Sequence, residues 1–138
     1  YASGTEAVSM NVKTSTTVAG AGYILTNDST NNTVDLSAAT EIGLFISADE
    51  SSRDAAGDLE TSSATVSAYP LGGVLLVAAT ASQTYTTGLT VYVGANGLAT
   101  VTAGSNKKLG LYVGGGVTAS STNGETLVPV ATAGAAIA

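Results

Sequence analysis

Apolar residues in this chain recur at every second position, in short runs broken by Gly, Pro, Asn and Ser, and no stretch sustains a helical period. Residues 7–14 place Val8, Met10 and Val12 on one face and Ser9, Asn11 and Lys13 on the other. Residues 41–47 line up Ile42, Leu44 and Ile46. Residues 64–69 alternate and stop at Pro70, and residues 23–26 form a short apolar run ending in the amide-rich loop 27–32. Residues 89–93 alternate, turn at Gly94-Ala95-Asn96-Gly97 and return as residues 98–102, an Asn-Gly hairpin signal. The run 73–79 is continuously apolar, which reads as a strand buried on both faces. Residues 107–113 and 125–131 complete the set, and Pro129 places the last strand at a sheet edge. About seven to nine short strands, mostly antiparallel, predict an all-β fold, a small sandwich or barrel. One domain over residues 1–138 is expected, with 1–17 as an extended arm and 49–60 as an acidic surface loop.

Composition narrows the function. Cys and His are both absent. That removes thiolate nucleophiles, disulfides, the commonest general base and the commonest zinc ligands. A net charge of −6 with only four cations leaves no basic stripe for phosphates, so no nucleic-acid partner is expected. The longest apolar run, 71–79, is too short to span a membrane as a helix, and no basic segment precedes an apolar stretch as in a signal peptide. Charged residues are only 10% of the chain, against about 25% in an ordinary soluble domain. A surface so poor in charge suits permanent docking onto another protein.

Local motifs point away from catalysis. Residues 49–60 have the length of a calcium loop, with Asp49 and Glu60 at its outer ligand positions. Arg53 stands where an oxygen ligand is needed and Asp54 where a Gly makes the sharp turn, so a solvated loop is the better reading. Glu41, Asp58 and Glu125 are carboxylates without the aromatic platform a sugar site uses. Gly114-Gly115-Gly116 follows a strand with no phosphate-loop motif, and reads as turn glycines. No catalytic residue, cofactor or required metal is expected, and the chain is read as a non-enzyme. Lys107-Lys108 opens a strand and reads as a guard against unwanted strand pairing or a contact for an acidic partner. Tyr92 and Tyr112 stand opposite the stripes Leu89, Val91, Val93 and Leu109, Leu111, Val113. Both rings face an interface if the stripes face the core, and both are core if each face is covered. Tyr1 and the small, polar, Pro-free stretch that follows fit an arm reaching a neighbour.

The order of motifs in the second half carries a resemblance. Gly72-Gly73-Val74-Leu75-Leu76-Val77 enters an apolar strand, and Val91-Tyr92-Val93 with Asn96-Gly97 makes a hairpin. Ala99-Thr100-Val101-Thr102-Ala103-Gly104, Lys108-Leu109-Gly110 and then Gly124-Glu125-Thr126-Leu127-Val128-Pro129-Val130 continue the course. This course resembles the bacteriophage capsid decoration (cement) proteins over residues 72–130, while residues 1–60 carry no such likeness. The resemblance implies a structural virion protein on the outer capsid surface that bridges major capsid proteins and stabilises the shell. It also implies a homo-oligomer, a trimer first and a dimer second. The alternative class is a β module of a phage tail fibre or spike, or of a bacterial surface adhesin.

Overall fold

The computed structural model describes residues 6–28 and 32–132. The alternating runs become Val8–Asn11 (β1), Ile24–Asp28 (β2), Thr33–Leu36 (β3), Phe45–Ser47 (β4), Thr65–Pro70 (β5) and Gly73–Ala78 (β6). Thr84–Tyr85 (β7), Thr90–Val93 (β8), Ala99–Thr100 (β9), Lys108–Tyr112 (β10), Val117–Thr118 (β11) and Leu127–Thr132 (β12) follow. All strand ladders are antiparallel, and no α-helix occurs among the described residues. The protein is all-β, as the periodicity predicts. The strands beyond the expected number are β3, β7 and β11, each too short or too polar to show a period of two.

Two five-stranded sheets, β1-β5-β4-β2-β3 and β6-β12-β10-β8-β9, form the layers, and a ribbon of β7 and β11 accompanies them. Side-chain parity assigns the cores. Ile24 and Ile46 of the first sheet pack with Leu75, Val77, Val91, Val93, Leu109, Val128 and Val130 of the second. Leu25, Val66 and Ala68 point the other way and are covered by Val12, Val18 and Ala64 from the flanking loops. The first sheet is therefore buried on both faces near its centre.

Each sheet curls until its edges meet. Val12 bridges Val34, joining the β1 and β3 sides, and Ala79 bridges Ala99, joining β6 to β9. Neither contact closes a barrel. Both shorten the open edges, which is how a small β domain limits unwanted strand addition.

The Asn-Gly hairpin forms as expected, with Asn96 (φ 56°) and Gly97 (φ 73°) both left-handed. A Cβ on Gly97 would stand 2.7 Å from the Ile24 carbonyl oxygen, so the turn needs glycine for space as well as for φ.

Four expectations are corrected. Pro129 does not mark an edge: β12 lies between β6 and β10. In an antiparallel strand the N and C=O of one residue face the same neighbour. The Pro129 carbonyl accepts from the Val113 N–H at 3.1 Å, one residue past the end of β10, so the missing donor falls where that ladder stops. Nor do Lys107 and Lys108 guard an edge, because β10 is interior. The run 73–79 is not buried on both faces: Leu75, Val77 and Ala79 are inside, whereas Val74 and Leu76 are exposed.

The fourth correction concerns Tyr112, which is buried rather than outward. Lys108 pairs with Tyr92 and Gly110 with Val91, so β10 spends two residues on one step of β8. This bulge turns Leu109 and Gly110 both inward and inverts the pattern beyond them. Leu111 and Val113 emerge on the outer face, and Tyr112 enters the core.

Residues 8–12 of the expected arm belong to the fold, as strand β1 and the buried Val12. Tyr1 lies outside the described residues.

Candidate functional site

The acidic loop uses its side chains on itself. Arg53 pairs with Glu50 and donates to the Gly57 carbonyl at 2.6 Å. Asp54 Oδ1 accepts from the Ala56 and Asp58 N–H groups at 2.9 and 3.0 Å, and Arg53 bridges Leu59. Asp49 accepts from the Glu50 N–H at 2.7 Å, and Glu60 accepts from Ser52 Oγ at 2.7 Å. Among the described residues, no three acidic side chains gather to share an ion. Glu41 accepts from the Ala38 N–H at 2.8 Å and so closes its own turn.

The buried hydroxyls of Ser47 and Ser51 are structural. Ser47 Oγ accepts from the Tyr23 N–H and donates to the Gly20 carbonyl, at 2.9 and 2.8 Å. Ser51 Oγ accepts from the Val18 N–H at 3.0 Å, tying the acidic loop to the segment that covers the first sheet. A cleft of about 160 Å³ opens between the layers beside Ala21, Gly22, Leu76 and Leu127. It carries no charged group and is smaller than the roughly 300 Å³ at which small-molecule sites begin.

Tyr85 is the largest fully buried side chain. Its ring lies 5.6 Å from that of Tyr112 at 48°, and its hydroxyl donates to the Ala99 carbonyl at 3.2 Å. Tyr112 donates to the Gly115 carbonyl, which folds the Gly-rich loop back over the core. Burial pushes the Tyr85 phenol up to about 12 from an ordinary value near 10. The unfolded chain loses this proton first as pH rises, so the contribution of Tyr85 to stability is complete below pH 10 and declines from there to about pH 12. Ultraviolet titration is expected to show a late-ionising tyrosine whose transition coincides with loss of structure. A Tyr85→Phe variant loses that late transition.

The feature without an internal explanation is the outer face of the second sheet. Six large apolar residues are exposed among the described residues, and five of them lie here: Val74 (38%), Leu76 (44%), Leu111 (47%), Val113 (45%) and Leu127 (39%). Register makes them neighbours. Leu111 faces Ala131, which faces Val74, and Pro129 faces Leu76 while bonding Val113. Tyr92, half-buried, and exposed Lys108 continue the same face on β8 and β10. Lys107 is half-buried, with its N–H bonded to the Ala39 carbonyl at 3.2 Å.

Of the residues expected at an interface, the structure places Tyr92 and Lys108 on this face, and Tyr112 in the core beneath it. The five aliphatic residues were missed. For Leu111 and Val113 the signal was present in Gly110, since an isolated glycine within a strand pattern is the mark of a bulge.

No protein-family model matches the chain, and no curated protein matches it.

Proposed function

We propose that the protein is a structural virion component, a multi-copy clasp on the outside of a phage capsid that ties neighbouring major capsid proteins together. The observation that carries this reading is the order of the segments 72–77, 91–97, 108–110 and 124–130, which resembles decoration proteins. With residues 99–104, those segments contribute to all five strands of one sheet, β6, β8, β9, β10 and β12, so the likeness falls on a continuous structural unit. The low charge and the bare apolar face support a role in docking. Binding to the assembled shell but not to its dissociated subunits stabilises the shell by mass action.

Quantitative gels of purified particles test the role. Hundreds of copies per particle are expected, whereas a few copies or a few dozen would assign the chain to a tail fibre or spike. An arm makes a second prediction. Deleting residues 1–17 would also remove β1 and the buried Val12. The clean variant begins at Val8: it is expected to keep the fold and its melting temperature but to bind shells several-fold more weakly. Unchanged shell binding would rule out the arm.

A further inference from the structure

The run 73–79 has the composition of a strand covered on both sides, yet one side of β6 is open, as are the facing positions of β12 and β10. Val74, Leu76, Leu111, Val113 and Leu127 lie side by side as one exposed apolar face, and such patches are often functional. We propose that the outer face of the second sheet pairs, across a two-fold axis, with the same face of a second copy of this chain.

Charge selects this occupant. Nine of the ten acidic residues lie in residues 1–60, and the loop holding five of them is tied to the far side of the first sheet through Ser51 and Val18. A pair joined through the second sheet keeps the two acidic layers on opposite outer sides. The strands of the second sheet carry one charged residue, Lys108. Glu125, exposed just before β12, stands at the other end of the face, because β10 and β12 run antiparallel with Gly110 opposite Thr132. Stacking two copies with their strands reversed brings Lys108 of each toward Glu125 of the other.

Aligned sheets pack face to face in this manner in any β-sandwich. The bridges Val12–Val34 and Ala79–Ala99 shorten the edges open to strand addition.

Sedimentation velocity on the purified chain tests the pairing apart from any shell. A dimer is expected, and Leu76→Lys with Leu111→Lys is expected to give a folded monomer with unchanged circular dichroism. Should that variant fold poorly, charge reversal decides. Lys108→Glu is expected to weaken the dimer about tenfold, and adding Glu125→Lys to restore it. A monomeric wild type, a trimer, or a dimer indifferent to all these changes would overturn the proposal. So would a monomer whose shell binding is abolished by Leu111→Lys, which would assign the face to the capsid instead.

Discussion

Gly110→Val is expected to be among the most damaging single substitutions in the chain. The bulge in β10 turns residues 109 and 110 inward together, and only one side chain fits. A Cβ at Gly110 would overlap the Ala131 carbonyl oxygen and stand 2.9 Å from its carbon and 3.0 Å from Val130 Cγ1. The obstruction is backbone of a strand held on both sides, so it cannot swing away as a flexible side chain would. Overpacking of this kind costs about 3 kcal/mol or more, which in a domain of this size lowers the melting temperature by roughly 10 °C. Calorimetry on the variant checks it, and a melting temperature within a degree or two of wild type would contradict the placement of the bulge.

Tyr85→Ala is expected to cost about 3–5 kcal/mol, as for other large aromatics removed from a core. The ring fills the space between the ribbon and the second sheet, where Tyr112, Ala99 and Ala119 pack with it. Removing it leaves a cavity and also withdraws the hydrogen bond to the Ala99 carbonyl. Tyr85→Phe keeps the packing and loses only that bond, worth about 1 kcal/mol. Denaturant unfolding separates the two. Equal losses for Ala and Phe would mean that the ring does not bear the packing assigned to it.

The β class, the hairpin and most strand positions were legible because alternation and turn chemistry are local. Asn96-Gly97 announces its own left-handed turn, and the run 65–70 ends at Pro70 in sequence as in structure. Short strands were not legible. Val117–Thr118 exists because Tyr85 and Thr84 lie opposite, not because two residues carry a pattern. Strand order was hidden for the same reason, so Pro129 suggested an edge that a neighbouring strand in fact occupies.

The candidate face shows how far one residue's register reaches. With strict alternation, Leu111 and Val113 would be core and Tyr112 would be surface. The single bulge at residues 108–110 exchanges them and adds Leu111 and Val113 to the face that Val74, Leu76 and Leu127 already form on β6 and β12. Tyr92 and Lys108, which precede the inversion or lie on the regular strand β8, fall where alternation predicts.

The structural role stands or falls on imaging of the assembled particle. The account predicts density for this chain on the outer capsid surface, in many symmetry-related copies, each touching more than one major capsid protein. Particles that carry the chain only at the tail, or lack it altogether, would contradict it.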